Sequence, residues 1–213
     1  MRLIASFVAI CLTLSLAANN QIARLHYNGG GDWYNDQDAI PNLCQFLNKH
    51  LNTDFIIEES IVKPSDSKIF DYPFIFATGH GKISFNEKEI TNLREYFARG
   101  GFLYVDDDYG LDDSFREEIK KVFPNKKLVE LPINHQIFSS YFKFNKGLPK
   151  IHKHDNKRPQ AFAIFDNKGR MLVLYTYESN ISDGWSDAHN NSPKIRESAL
   201  KMGANIIHYL ITK

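Results

Sequence analysis

Residues 72–105 read YPFIFATGHGKISFNEKEITNLREYFARGGFLYV, in which two apolar runs flank a helical pattern. The runs Phe74–Ala77 and Phe102–Val105 are continuous rather than alternating, which is typical of strands that are covered on both faces. Between them, Asn86 and Glu89 have the spacing of a capping box at the start of a helix. A buried strand, a helix and a second buried strand in this order predict parallel strands of a layered α/β fold.

The same alternation of apolar runs and helical patterns continues along the rest of the chain. The further predicted elements are, in chain order, a strand at 22–27, a helix at 37–51, a strand at 54–58, a helix capped by Asp112 or Asp113 that ends at Phe123, a strand at 128–131, strands at 161–165 and 171–177 that form a hairpin, and a helix from Ser192. We therefore predict an α/β fold with a largely parallel sheet, an antiparallel hairpin and a C-terminal helix. Residues 132–160 show no regular pattern, and segments of that length inside compact domains are often functional loops.

The N-terminus has the features of a secretory signal peptide. Arg2 is followed by an apolar run from Leu3 to Leu16 and then by two alanines before the first polar residues. An uncleaved membrane anchor is the alternative, but this run is shorter than the ~20 residues that span a bilayer. We therefore expect residues 1–18 to be removed and residues 19–213 to form a single α/β domain. The mature protein is then exported, periplasmic or secreted, without a transmembrane segment.

Charge and cysteine content argue against several classes of function. Loss of Arg2 from the 26 basic residues leaves a formal charge near zero against 25 acidic ones, which gives no electrostatic case for binding nucleic acid or anionic membranes. Because Cys11 lies in the predicted signal peptide, Cys44 has no intramolecular disulfide partner. Cys44 lies next to Leu43 on a predicted helix and is expected to be a core residue rather than a nucleophile. The Gly-x-Ser-x-Gly pattern of serine hydrolases is absent from the sequence.

The loop after the first strand is the first candidate ligand site, because ligands of open parallel sheets bind beyond the carboxyl ends of the strands. Its glycines permit a close approach of the backbone to a ligand, and its indole and phenol offer flat apolar surfaces. The predicted ligand-binding residues here are Gly30, Asp32, Trp33 and Tyr34. The contiguous glycines do not match a dinucleotide-binding pattern, and a tight turn with inward-facing aromatics is the alternative.

The ends of the third and fourth strands carry the candidate catalytic residues. His80 lies between two glycines, and Asp106 and Asp107 are followed by a third aspartate, Asp108. Adjacent carboxylates repel one another unless donors or a divalent cation compensate, or unless one of them has a raised pKa and acts as an acid or base. We expect His80, Asp106 and Asp107 to be catalytic and Tyr109 to contact the ligand. The alternatives are a solvated histidine and carboxylates that cap a helix.

A second group of candidate residues lies in and beyond the irregular segment. His152 and His154 flank one residue, which places both rings on one side of an extended segment, a common half-site for a metal. We expect His152, His154 and Asp183 to bind a divalent metal, although no second pair completes a known metal signature. Trp185 is expected to contact the ligand.

Several of these segments together resemble the bacterial domain-of-unknown-function family 4159, over about residues 23–212. The segments that carry the resemblance are Tyr27-Asn28-Gly29-Gly30-Gly31-Asp32-Trp33-Tyr34, Thr78-Gly79-His80-Gly81, Gly100-Gly101-Phe102 with Asp106-Asp107, Gly147-Leu148-Pro149-Lys150-Ile151-His152, and Asp183-Gly184-Trp185. The resemblance implies a flavodoxin-like three-layer sandwich of the class I glutamine amidotransferase-like type, in a bacterial exported or envelope protein.

The resemblance supplies no activity. Class I glutamine amidotransferases use a cysteine nucleophile in a strand-to-helix turn, which corresponds here to residues 106–109. That turn contains no cysteine, and Cys44 lies on another element. Glutamine hydrolysis by cysteine chemistry is therefore not expected, and fold analogy alone does not transfer a function.

Three functions remain open from the sequence. The first is a hydrolytic enzyme in which the fourth-strand carboxylates and His80 act, with a divalent metal as the candidate cofactor. The second is a non-catalytic module that binds a small molecule or an envelope protein through Trp33, Tyr109 and Trp185. The third is a structural component of an envelope assembly. All three depend on which of these side chains meet at one edge of the sheet.

Overall fold

A computed structural model describes residues 20–213, so the predicted signal peptide lies outside the described part of the chain. One seven-stranded sheet has the strand order β2-β1-β3-β4-β7-β6-β5. The strands and helices are β1 (Ile22–Leu25), α1 (Ala39–Leu51), β2 (Ser60–Val62), β3 (Phe74–His80), α2 (Glu87–Ala98), β4 (Phe102–Tyr109), α3 (Asp112–Val122), β5 (Val129–Glu130), β6 (Gln160–Phe165), β7 (Met171–Tyr177) and α4 (Pro193–Ile211).

The sheet is mostly parallel and reverses its winding direction between β1 and β3. The chain passes from β1 to β2 on one side and then returns to β3 on the other side of β1. β6 runs antiparallel to both of its neighbours, β5 and β7. The carboxyl ends of β1 and β3 therefore flank the point of an open sheet where ligands usually bind.

Helices cover both faces of the sheet and form two apolar cores. Leu43 of α1 and Ile206 of α4 belong to one core, whereas Leu93 of α2 and Phe115 of α3 belong to the other. This arrangement is a flavodoxin-like sandwich, and it confirms the predicted fold class. Within residues 20–213, no helix combines the length and the hydropathy that a membrane crossing requires.

The second strand differs from the prediction. Strand β2 begins at Ser60, whereas residues 54–58 form no strand. The side chain of Asn48 explains the difference, because it donates to the carbonyl of Phe55 at 2.8 Å and accepts from the Phe55 N–H at 2.8 Å. These bonds occupy the backbone groups that a strand needs for pairing, and Ile56 stays exposed.

The irregular segment 132–160 is held by α4. Asn205, a fully buried residue of α4, accepts hydrogen bonds from the N–H groups of Tyr141 and Phe142 and donates to the carbonyl of Phe142 at 2.8 Å. Ile137 and Phe138 of the same segment enter the core. The segment is therefore a packed loop that places residues 152–157 at the carboxyl edge of the sheet.

Candidate functional site

The three aspartates at the end of β4 are all buried, and they point in alternating directions as the sequence predicts. Asp106 and Asp108 face the segment 180–183. Asp107 lies on the other side, where it accepts a hydrogen bond from the N–H of Leu111 at 2.9 Å. The three carboxylates therefore have separate surroundings.

Asp106 and Asp107 are engaged in holding the fold. Asp106 accepts hydrogen bonds from the N–H and hydroxyl of Ser182, at 2.6 and 2.8 Å, and from the hydroxyl of Thr176. Asp107 accepts from Leu111 at the start of α3. Burial raises the pKa of each carboxyl to about 7. Both residues were predicted to be catalytic, but their hydrogen bonds go to these structural partners rather than to His80.

Asp108 is instead part of a cluster of three buried carboxylates. The others are Asp36, in the loop before α1, and Asp183, in the short turn Ser182–Gly184. One oxygen of each lies within 4.8 Å of the other two, and the side chains are only 1–2% exposed. Two like charges 4 Å apart repel by about 4 kcal/mol at an effective dielectric constant near 20. Burial and the nearby Asp108 and Asp36 accordingly raise the pKa of Asp183 far above its usual range.

Two histidines lie against this carboxylate cluster. His152 Nδ1 is 2.7 Å from Asp183 Oδ2, and His189 Nε2 is 2.6 Å from Asp36 Oδ1. The other ring nitrogen of His152 lies 3.1 Å from Asn191 Oδ1, which orients the ring in the way that is usual for metal-binding imidazoles. Burial lowers the pKa of His152 and favours the neutral ring, the form that binds a metal.

Acceptors outnumber donors in this cluster. Asp36 Oδ2, Asp183 Oδ1 and Asn180 Oδ1 are buried and make no hydrogen bond to the described residues. An unsatisfied buried polar group usually costs about 1–3 kcal/mol. The Asn180 amide nitrogen, which has two hydrogens, lies within 3.3 Å of four acceptors on Asp108, His154 and Asp183. The cluster therefore has the chemistry of a cation site.

His80 and Asp32 form the solvent-facing side of the cluster. His80 Nδ1 lies 3.0 Å from Asp32 Oδ2 and 3.2 Å from Asp108 Oδ2, and the ring is 47% exposed. Gly79 permits this contact, because its φ is +139° and a Cβ there would lie 2.5 Å from the Tyr27 hydroxyl and 2.7 Å from Asp32 Oδ1. The structure thus brings the loop after β1 and the end of β3 to the carboxylate cluster.

His154 is not among the candidate metal ligands that the structure groups together. The structure groups His152 and Asp183 with His189, whereas His154 Nε2 contacts the Asn180 amide at 2.9 Å. The ring of His154 lies 4.8 Å from that of Tyr109, beside the cleft described next. The predicted pairing of His152 with Asp183 is therefore present, and His189 takes the place predicted for His154.

An open cleft of about 290 Å³ adjoins Asp108 and His154. The acidic side chains on its wall outnumber the basic ones. The acids are Asp107, Asp108, Asp112, Asp113, Asp155 and Glu178, against Lys157. Four of them have basic or hydroxyl partners close by. Arg116 contacts Asp112 at 2.7 Å, Lys150 contacts Glu178 at 2.8 Å, Lys157 contacts Asp155 at 3.3 Å, and the Tyr175 hydroxyl lies 3.4 Å from Asp107.

The aromatic residues predicted to contact a ligand have different surroundings. Trp185, predicted to contact a ligand, is 1% exposed, donates its indole N–H to the Ala199 carbonyl at 2.9 Å and packs on Phe76, so its ring lies in the core rather than on the surface. Trp33 is half-buried and stacks on His26 at 3.9 Å. Tyr34 and Tyr109 are exposed, as is Gly30.

Sequence reasoning did not single out four residues of the cluster. The candidate ligands Asp36 and His189, and the amide donor Asn180, lie in loops without a motif. Asp108 was grouped with its neighbours. Asp36 and Asn180 both have a φ of +54°, a conformation that non-glycine residues rarely adopt. This conformation marks the two residues in the structure, but the sequence does not reveal it.

The sequence model described as "Domain of unknown function (DUF4159)" matches residues 21–211. No curated protein matches the chain significantly. Because the match extends from β1 to the last turn of α4, it includes every side chain of the carboxylate cluster. The chain belongs to the DUF4159 family.

Proposed function

We propose that this protein binds divalent metal at the carboxyl edge of its sheet and uses it to activate water for hydrolysis. The observation that carries the proposal is the cluster of Asp36, Asp108 and Asp183, in which Asp36 Oδ2 and Asp183 Oδ1 lack partners among the described residues and which faces two imidazoles. Mixed carboxylate and imidazole donors suit Mn²⁺, Fe²⁺, Co²⁺ or Zn²⁺ better than Ca²⁺ or Mg²⁺, which prefer oxygen ligands alone.

The residues at the mouth of the cluster supply proton transfer. Asp32 and Asp108 both contact Nδ1 of His80, which leaves Nε2 of this half-exposed ring for exchange with a bound molecule. A bound metal lowers the pKa of water toward neutrality. With a metal bound, His80 would take one proton from the activated water and return it to the leaving group, while the water oxygen would replace the leaving group on the substrate carbon.

The charge of the adjoining cleft favours neutral or cationic substrates. Its wall carries the exposed acids Asp113 and Asp155 beside the buried Asp107. Its lysine, Lys157, contacts Asp155 at 3.3 Å and balances that one acid, so the lining keeps a negative excess. An anionic phosphate ester would be repelled by this surface, whereas an ester or amide with an ammonium group would be attracted. We therefore expect carboxylic esters or amides as substrates rather than phosphate esters.

We further propose that the mature protein works outside the cytoplasm, because residues 1–18 have the composition of a signal peptide. The strand order and the helices on both faces support a relation to class I glutamine amidotransferases. The cysteine mechanism is not proposed, because burial raises the pKa of the Cys44 thiol to about 12 and the last residues of β4 are Asp108 and Tyr109 rather than a cysteine.

Metal binding and turnover test the proposal in two stages. Chelator-treated protein, residues 19–213, is titrated with Mn²⁺ or Zn²⁺, and bound metal and the melting temperature are measured. Binding at 100 times Kd stabilises by about 2.7 kcal/mol, which corresponds to a rise of about 5–10 °C. Absence of bound metal would refute the proposal.

The second stage compares the loaded and the chelated protein on nitrophenyl acetate, lysine nitroanilide and nitrophenyl phosphate. Metal-dependent release of nitrophenol or nitroaniline from the first two is expected. A metal-loaded protein that hydrolyses none of them would contradict the hydrolytic role and favour the non-catalytic binding module.

A further inference from the structure

The candidate metal ligands form two overlapping sets that share one residue. Asp36, Asp108 and Asp183 make up the first set, and His152, His189 and Asp183 make up the second. In each set the donor atoms lie within 4.8 Å of one another. The shared residue, Asp183, presents Oδ2 to His152 Nδ1 at 2.7 Å and Oδ1 toward His189 Nε2 at 3.9 Å.

The donors suffice for two ions only if one carboxylate serves both. With one atom each, the five residues supply five donors, and one transition-metal ion takes about four to six ligands. A second ion therefore requires a carboxylate that is shared between the two sets, as Asp183 is. The two sets also adjoin, because His189 Nε2 lies 2.6 Å from Asp36 Oδ1. Two-metal hydrolytic sites hold their ions about 3.5–4 Å apart, which requires adjoining donor sets of this kind.

Charge balance leads to the same conclusion. Metal binding requires the carboxylates to be ionised. The three buried carboxylates then carry three negative charges, so one divalent ion leaves one charge uncompensated in a buried site. Two divalent ions and one hydroxide give exact neutrality. The buried Arg24 does not supply the missing positive charge, because Glu59 contacts its Nε at 2.9 Å and balances its charge.

We propose that this centre is dinuclear and that the Asp183 carboxylate bridges two divalent ions, one held by Asp36 and Asp108 and the other by His152 and His189. The inference rests on the proposed metal-binding function and deepens it. Asp36 and Asp183, whose side chains are 1% and 2% exposed, each have one oxygen without a partner among the described residues, so each retains an oxygen that is available to an ion.

Metal stoichiometry tests the proposal with Mn²⁺ as the probe. Full mature protein is equilibrated with Mn²⁺, desalted, and assayed for manganese per chain and for its electron paramagnetic resonance spectrum. Two ions per chain with a spin-coupled spectrum are the expected result. One ion per chain would overturn the dinuclear centre while the proposed function stands, and no bound ion would overturn both.

Single-site variants identify which residues hold which ion. His152→Ala and Asp108→Asn are each expected to bind one Mn²⁺ and to lose the spin coupling, with circular dichroism confirming the fold. His135→Ala is the matched control, because His135 lies beside Tyr209 and Phe165, outside both sets, and it should retain two coupled ions. Retention of two coupled ions by the folded His152→Ala variant would overturn the assignment, and so would loss of coupling in the control.

Discussion

Ser182 donates two hydrogen bonds to the same oxygen of Asp106, one from its backbone N–H at 2.6 Å and one from its hydroxyl group at 2.8 Å. Asp106 belongs to β4, whereas Ser182 begins the turn that carries Asp183. The pair therefore fixes this turn on the strand and places Asp183 beside Asp108. Asp106 is accordingly a positioning residue for the carboxylate cluster.

Removing the Ser182 hydroxyl should weaken metal binding without removing a ligand. Ser182→Ala loses a buried hydrogen bond to a carboxyl group, for which we expect a loss of about 1.5–3 kcal/mol in the free energy of unfolding. Mn²⁺ affinity should fall about tenfold, with the number of bound ions unchanged. Denaturant unfolding and Mn²⁺ titration measure the two effects.

Ser140→Ala is the control for this variant, because the Ser140 hydroxyl also donates one hydrogen bond, to the Asn205 carbonyl at 2.8 Å, away from the cluster. It should lose stability and keep the wild-type affinity for Mn²⁺. Wild-type affinity in Ser182→Ala as well would mean that the Asp106–Ser182 pair does not position the site.

Truncating Trp185 should destabilise the protein as the loss of a core side chain does. Its ring packs on Phe76 and Tyr104, and Gly203 leaves room for it, since a Cβ at that glycine would lie 2.9 Å from the indole. Trp185→Ala is expected to lower the free energy of unfolding by about 3–5 kcal/mol. Trp33→Ala, which removes a half-buried ring, should cost clearly less, and equal losses in denaturant unfolding would contradict this assignment.

The central part of the fold was predictable because its signals are local. The apolar runs of β3 and β4 and the capping box of α2 are each contained in a few consecutive residues, and the structure confirms the box through the Asn86 and Glu89 side chains. The second strand was misplaced because the deciding contact comes from Asn48, on the preceding helix. No pattern within residues 54–58 reveals that contact.

The site was predictable only in part, because most of its contacts join residues that lie far apart in the chain. His152 and Asp183 were singled out by residue type, and they do meet at 2.7 Å. His189 and Asp36 meet at 2.6 Å although 153 positions separate them, and no spacing rule connects them. The burial of Trp185 could not be predicted either, because its side-chain direction depends on how α4 packs against the sheet.

Gly79 should tolerate no side chain. Its φ of +139° is costly for any other residue, and an alanine Cβ would lie 2.5 Å from the Tyr27 hydroxyl. We expect Gly79→Ala to lower the free energy of unfolding by about 3–5 kcal/mol and to displace Asp32 from His80. Gly30→Ala is the matched control, because Gly30 also has a positive φ but no heavy atom within 4 Å of a Cβ.

The control should cost only the backbone strain, about 1–2 kcal/mol. Thermal or denaturant unfolding measures both variants. Equal losses of unfolding free energy for the two variants would show that the close approach of Gly79 to Tyr27 and Asp32 does not contribute to stability.

The hairpin between β6 and β7 should make stability depend on pH in the acidic range. Asp166 Oδ1 accepts hydrogen bonds from the N–H groups of Arg170 at 2.9 Å and Lys168 at 2.8 Å, and these bonds lower the pKa of Asp166. A carboxyl whose pKa is lower in the folded state stabilises the fold above its unfolded pKa of about 3.9, and this contribution is lost as the pH falls through the folded value.

Asp166→Asn keeps an acceptor but removes the charge. The variant should therefore be less stable than wild type near neutral pH, and the difference should shrink as the pH falls from about 5 to about 3. Urea unfolding at a series of pH values measures it. A difference that stays constant over this range would contradict the role of the ionised carboxylate.

Replacing Asp183 should stabilise the metal-free protein and abolish its stabilisation by metal. In the metal-free state its carboxyl lies within 4.8 Å of the Asp36 and Asp108 carboxylates, and relief of this crowding by Asp183→Asn should raise the free energy of unfolding by about 1–3 kcal/mol. With Mn²⁺ present the order reverses, because wild type gains about 2.7 kcal/mol at 100 times Kd and the variant lacks the shared ligand. The variant should therefore have the higher melting temperature with chelator, and wild type should have the higher one with Mn²⁺. A variant that is less stable than wild type under both conditions would show that Asp183 serves the fold rather than a metal.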